Sequence, residues 1–256
     1  MRRITVCVLM LGLLAGAGCS RPADATDAVW QTATLPDLLA GSYDGETTFD
    51  ELRQHGDFGI GTLDALDGEM LADGGRFYQI RSDGKVYAVG DDMTTPFAAV
   101  KFFRPDKTLV LEGPLSFEQL KERLDAAGPD ESRFCAFRIT GSFSQVRTRS
   151  VPRQHKPYPR LTEVVKTQPV FELNNVSGTL VGFRLPKSAA GMNVAGYHFH
   201  FITDDRAAGG HVQDLTVESA KVQIDESNEL TVRLQSPHSL ATSTAGQLEQ
   251  ETNQVE

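Results

Sequence analysis

From Trp30 onward the chain is built of short apolar runs broken by turn residues. Between Gly59 and Gly90, Asp-Gly pairs at 67–68, 73–74 and 83–84 separate β-rich segments such as "RFYQI" and "KVYAV". That alternation predicts a meander of short antiparallel strands with tight turns. Helical periodicity is confined to a few places. "TTFDELRQHG" predicts a short helix capped by Thr48, with Glu51 three residues on and Gly56 at its end. "SFEQLKERLDAAG" predicts a second: Ser116 and Gln119 form a capping box, and Phe117, Leu120 and Leu124 make the apolar stripe. Strand character resumes in "RFCAFRITGSFSQVRTRSV" and continues through "PVFELN", "GTLVGFRLP", "VAGYHFHFI", "HVQDLTVES", "AKVQID" and "LTVRLQ". "AGQLEQETNQVE" predicts a terminal helix.

Two stretches set the organisation. "MRRITVCVLMLGLLAGAGCS" has two arginines, an apolar run from Ile4 to Ala15, and then small residues. This is the layout of a secretory signal, too short for a spanning helix, so residues 1–19 are assigned to it. Cys19 stands as at a bacterial lipoprotein cleavage site, although Gly16 occupies the position where such sites usually carry leucine; cleavage after Ala17 is the alternative. The expectation is therefore an exported protein: periplasmic or anchored in the envelope through a lipid on Cys19, otherwise secreted. "VPRQHKPYPRL", with three prolines, predicts an extended loop. The boundary is placed there, between an N-terminal mixed-sheet domain (28–150) and a C-terminal domain (151–256). The fold class expected is α/β with strand-rich α+β character.

At 256 residues and 40% hydrophobic content the chain is long enough and apolar enough for a real core. Its net charge of −9 argues against a nucleic-acid partner. It also means that a small anionic ligand needs a local cation. With the signal removed, Cys135 is the one interior cysteine, and its apolar neighbours suit a small buried hydrophobe. No disulfide framework is expected.

Three of the six histidines fall between Gly196 and His211, in "GYHFHFITDDRAAGGH". On a strand His198 and His200 share one face while Phe199 points to the other. "FITDDRAAGG" then suffices to turn the chain and return His211 on a neighbouring strand. Three imidazoles so placed leave positions open for water or substrate, the arrangement of catalytic zinc. The plain alternative is a pair of satisfied core histidines. No carboxylate lies at an obvious fourth-ligand spacing, which argues against a closed structural site.

"NVAGYHFHFITDDRAAGGHVQD" closely resembles the core motif of the α-acetolactate decarboxylases, Asn-Val-Ala-Gly-Tyr-His-x-His-Phe. "HGDFGIGTLDALDGEM", "FYQIRSDG", "TPFAAVKFF", "FCAFRITGSF", "TRSVPRQHKPY" and "GTLVGFRLP" are similar to that family's segments, in its order, so the resemblance spans about residues 30–218. It implies a two-domain fold with mixed sheets and few helices, a metal site between the domains, and a homodimer. It further implies Zn2+ held by His198, His200 and His211, catalytic roles for Glu69 and Arg149, and substrate binding by Thr62 and Arg149. A second family glutamate lies near the C-terminus; Glu256, in the "QVE" ending, matches it best, with Glu251 as the alternative. Without the resemblance Glu69 would read as a solvated carboxylate after a turn, Arg149 as one of a basic stretch with Arg147 and Arg153, and Thr62 as an ordinary strand residue. His55, His155 and His238 read as surface or loop residues.

The activity implied is decarboxylation of 2-acetolactate to acetoin and carbon dioxide, with a metal-stabilised enediolate protonated by a glutamate. Two other classes fit the histidines: a zinc hydratase or hydrolase, and a non-enzymatic envelope metal-binding lipoprotein. Acetoin formation separates the first from the implied reaction, and metal uptake without turnover marks the second.

Overall fold

The computed structural model describes residues 27–128, 130–235 and 245–256. The signal, Cys19 and His238 lie outside the described residues. In chain order the first elements are β1 (Ala28–Thr32), α1 (Leu35–Leu39), β2 (Thr47–Thr48), α2 (Phe49–His55), β3 (Phe58–Thr62) and β4 (Glu69–Asp73). Next come β5 (Arg76–Ile80), β6 (Val86–Ala88), β7 (Thr94–Thr95), β8 (Ala98–Lys101), β9 (Lys107–Ser116) and α3 (Phe117–Ala127). The rest are β10 (Phe134–Arg149), α4 (Leu161–Val164), β11 (Val170–Leu185), β12 (Gly196–Thr203), β13 (Gly209–Ser227), β14 (Glu229–Arg233) and α5 (Ala245–Val255). The result is a mixed α/β fold with few helices and two main sheets.

The two helices with predicted caps, α2 and α3, start where those side chains can satisfy the first free N–H groups. Thr48 accepts from the Glu51 N–H, and Ser116 and Gln119 complete a reciprocal capping box. The meander forms the seven-stranded sheet β14-β1-β8-β3-β4-β5-β6, in which β1 and β14 run parallel and every other neighbouring pair antiparallel. Its turns fall at Asp73-Gly74 and Asp83-Gly84, as the pattern predicts. The third Asp-Gly pair does a different job. Gly68 has φ +91°, and a Cβ there would lie 2.2 Å from the Ile80 carbonyl oxygen. Only glycine fits, and the tight passage delivers Glu69 into the sheet.

The second sheet is entirely antiparallel, in the order β10-β11-β12-β13-β9. β10 pairs with both β11 and β13, so the sheet curls until β12 meets the start of β13 again. Two pairs of runs expected as separate strands prove continuous here. "PVFELN" and "GTLVGFRLP" belong to β11 because the ladder to β10 keeps one register through Asn175, at φ 53°, with Gln145 opposite Asn174 and Phe143 opposite Val176. "HVQDLTVES" and "AKVQID" likewise merge in β13.

Leu120 and Leu124 of α3 cover one face of this curled sheet, over Phe137, Phe199 and Phe201. Each such fully buried side chain contributes about 1.5–3 kcal/mol of burial free energy. The two main sheets share a core in which Val29, Phe58, Ile60 and Leu71 of the first meet Val181, Phe183 and Ile202 of the second. Both sheets draw strands from either side of the Val151–Leu161 segment: β9 and β10 precede it in the curled sheet, and β14 follows it in the other. α5 docks through Val255 and Leu248 onto Leu35, Leu39, Val151 and Val194.

Candidate metal-binding active site

Strand register assembles the histidines. His200 of β12 stands opposite His211 of β13, and His211 stands opposite Arg149 of β10, so the three side chains form a row across neighbouring strands. His198 lies two residues before His200 on the same face, while Phe199 points into the core against α3. The return of the chain is close: Gly210 has φ +140°, and a Cβ there would lie 2.5 Å from the Arg149 carbonyl oxygen. One ligand nitrogen from each imidazole lies within 4.8 Å of the others, a spacing that fits a single metal ion. The expected hairpin return of His211 is therefore present.

The residues also fit an ion in their protonation. His200 Nδ1 is 2.7 Å from the Met70 carbonyl oxygen, a contact that places the proton on Nδ1. Its Nε2 is buried and has no hydrogen-bond partner, an orphaned acceptor facing the other two rings. A carbonyl holding the far nitrogen of a ligand histidine is the usual way its ring is oriented. Burial, then the Arg149 charge, lowers the His198 pKa; burial, then His198, lowers that of His200. His211 is lowered by burial and then by Arg149, against a hydrogen bond to the Glu256 backbone. Neutral imidazole is the form that binds a metal.

Against this cluster stands a buried ion pair. Arg149 Nη1 donates to Glu69 Oε1 at 2.9 Å, and Nη2 donates to the Val255 carbonyl oxygen at 2.5 Å. Glu69 Oε2 lies 3.6 Å from His200 Nε2, so one carboxylate oxygen is fixed by Arg149 and the other faces the histidines. Desolvation pushes the Glu69 carboxyl up to about 7, opposed by Arg149 and by the Val151 N–H. Glu256 Oε2 lies 3.9 Å from His211 Nε2. Its carboxyl is also raised, by desolvation against Arg149, but a side chain 24% exposed keeps more contact with water than Glu69 at 7%. Carboxylates thus do approach the rings, from elements too distant in sequence for spacing to show them.

Thr62 is the register partner of Glu69, and its hydroxyl donates to the Gly68 carbonyl oxygen at 2.7 Å. That contact braces the turn carrying Glu69 and occupies the hydroxyl proton. Glu251, the alternative for the second glutamate, instead pairs with Arg160 at 2.6 Å. Arg147 and Arg153 are half exposed and pair with Glu172 and with Asp64 and Asp67, unlike the buried Arg149. His155 lies in an exposed loop, whereas His55 stacks on Trp30 at 4.1 Å. Cys135 is buried, and desolvation raises its thiol to about 11, as suits an inert core residue. Two participants carry no side-chain signal at all: the Met70 and Val255 carbonyls.

A cavity of about 310 Å³ opens onto His198, His211 and Glu256 and is otherwise walled by residues including Phe117, Lys121 and Tyr197. A larger hollow of about 690 Å³, beside α1 and α5, reaches none of the three histidines.

Fold and site together define a mixed-sheet protein with a three-histidine centre competent to bind a metal, set against a buried Glu–Arg pair. A family profile described as "Alpha-acetolactate decarboxylase" matches residues 29–244, a wider span than the motifs alone. The chain is 50% identical over 202 residues to the alpha-acetolactate decarboxylase of Methanosarcina mazei, covering 79% of this chain and 70% of that one. It is 48% identical over 206 residues to the one from Methylococcus capsulatus, covering 80% and 79%. The crystal structure of alpha-acetolactate decarboxylase from Bacillus subtilis strain 168 superposes with a TM-score of 0.86 at 38% identity, over 90% of this chain and 99% of that one. The chain belongs to the alpha-acetolactate decarboxylase family.

Proposed function

We propose that this protein decarboxylates 2-acetolactate to acetoin and carbon dioxide, with Zn2+ held by His198, His200 and His211. The observation that carries this reading is His200 Nε2, buried and unpartnered while Nδ1 is tied to the Met70 carbonyl, and set against Glu69. Family membership supplies the reaction. Glu69 comes from the seven-stranded sheet and the histidines from the curled one, which supports a metal site between the two sheets.

2-Acetolactate is a 2-hydroxy-2-methyl-3-oxo acid anion. Loss of carbon dioxide leaves an electron pair shared between carbon and the ketone oxygen, and one proton must be taken up to give neutral acetoin. Bound zinc supplies a Lewis acid for the negative charge that develops there. Arg149 supplies a fixed positive charge in a site with little water, where such a charge is most effective. Desolvation raises the Glu69 carboxyl above the usual carboxylate range, which suits a group that gives and recovers a proton, and its Oε2 faces the site. It is the leading proton donor, with Glu256 second. Delivery from one fixed side fixes the handedness of acetoin. The test is metal analysis of the purified chain paired with an acetoin assay: stoichiometric zinc without acetoin formation would overturn the reading.

Glu256 gives a separate prediction. Glu256→Gln should keep its zinc and lose turnover on the order of tenfold, less than the hundredfold or more of a principal donor. Deletion of Glu256 removes the side chain and moves the terminal carboxylate, so it should cost more. Rates and acetoin handedness are measured for both; if neither variant departs from the parent, the terminal residue is inert.

The same reading includes export through the signal of residues 1–19, lipid attachment at Cys19, and a homodimer. The full chain should fractionate with the cell envelope, and Cys19→Ala should abolish lipidation of the mature protein. Full-length, unprocessed chain in the cytosol would count against export.

A further inference from the structure

The Arg149 guanidinium does not line the cavity that opens onto the histidines. Both terminal nitrogens of Arg149 donate, one to Glu69 and one to the Val255 carbonyl. The cavity in front of His198 and His211 needs another cation if an anion is to enter it, because the chain carries a net charge of −9. Glu118, Asp214 and Glu256 all line that cavity, which makes its mouth acidic.

Among the described lining residues Lys121 is the one lysine or arginine. It stands one turn into α3 and is held on two sides. Its ammonium lies 4.2 Å from the centre of the Phe117 ring and 2.7 Å from Glu118 Oε1. The lysine side chain is only 28% exposed whereas Glu118 is 78% exposed, so the pair is a lysine set into the cavity wall with a solvated partner. A Lys–Glu pair so open to water is worth little in itself, and Glu118 yields readily to another carboxylate. α3 is fastened to the histidine strand: the Tyr197 hydroxyl, next to His198, donates to Asp125 Oδ1 at 2.7 Å. Lys121 therefore keeps a fixed position relative to the metal centre.

We propose that the cavity at the start of α3 is the route by which the substrate reaches the histidines, and that Lys121 draws in its carboxylate and holds it. This rests on an anionic substrate, 2-acetolactate, and assigns to Lys121 a part in binding that Arg149, which does not line this cavity, does not fill alone. The held carboxylate lies at the solvent side of the site, where departing carbon dioxide has a path out. Acetoin, having no charge, is not retained by Lys121.

The experiment compares the parent, Lys121→Gln and Lys121→Arg as zinc-loaded full chains with metal content verified. Lys121→Gln should raise KM for 2-acetolactate about tenfold, the scale of one partly exposed charged contact, with kcat within about twofold. Lys121→Arg should recover most of that loss. Two inhibitors isolate the charge. Competitive inhibition by 2-hydroxyisobutyrate, an anion, should weaken in Lys121→Gln by the same factor as KM rises, while inhibition by neutral acetoin should not change. An unchanged KM, equal weakening toward both inhibitors, or no recovery with arginine would each overturn the role of Lys121. A zinc-loaded parent that forms no acetoin would instead overturn the substrate reading, and the inference with it.

Discussion

His200→Ala is expected to lose most of its bound zinc and nearly all acetoin formation. The reason lies in where the ring sits. Its Nε2 is the buried acceptor at one end of the row Arg149–His211–His200, 3.6 Å from Glu69 Oε2, and its Nδ1 is the one tied to the backbone of the neighbouring sheet through Met70. Removing it leaves His198 and His211, too few ligands to hold zinc in an open site. Changes that merely disturb the orientation of a ligand cost about 10–100-fold in metal affinity, and removal of the ligand itself should exceed that. The deletion also empties space in a core position, so the variant's melting temperature is measured alongside. A variant that melts normally, keeps full metal content and turns over at the parent rate would remove His200 from the site.

Much of the scaffold is legible because its signals are local. Thr48, Ser116 and Gln119 sit within three residues of the N–H groups they satisfy, and each helix starts where those caps place it. The histidine hairpin is legible for a similar reason. Strand alternation fixes the shared face of His198 and His200, and Gly209-Gly210 marks the return that sets His211 opposite His200.

What sequence spacing does not show is pairing across distance. The "NNVSG" stretch carries the residues of a turn, yet β11 runs through it because the ladder to β10 holds one register on both sides of Asn175. Glu69 and Arg149 are 80 residues apart, and each read by itself is an ordinary surface charge; burial of both follows only from packing the two sheets together. The Met70 and Val255 carbonyls are invisible to any residue-type argument, because every residue has one. Glu251 and Glu256 lie five positions apart on or beside one helix, and docking of Val255 in the core is what turns Glu256 toward His211 and leaves Glu251 with Arg160.

Glu69→Gln separates holding the metal from using it. The three imidazoles come from β12 and β13 and owe nothing to the Glu69 side chain, so zinc content should stay near stoichiometric. The amide oxygen can still accept from Arg149 Nη1, which keeps the guanidinium from being left buried without a partner. Loss of that contact outright would cost about 3–5 kcal/mol, and the near-isosteric change should cost less. What glutamine lacks is the titrating proton. The Glu69 carboxyl is raised to about 7 by desolvation and presents Oε2 to the histidines, so it is poised to give a proton and recover it at neutral pH. Turnover should therefore fall about a hundredfold or more, the usual scale for a positioned proton donor, with carbon dioxide release and acetoin formation measured together. Parallel loss of zinc and activity would make Glu69 a ligand or a structural residue instead. Full activity in the variant would pass the proton to Glu256, whose side chain approaches the rings from the opposite end of the chain.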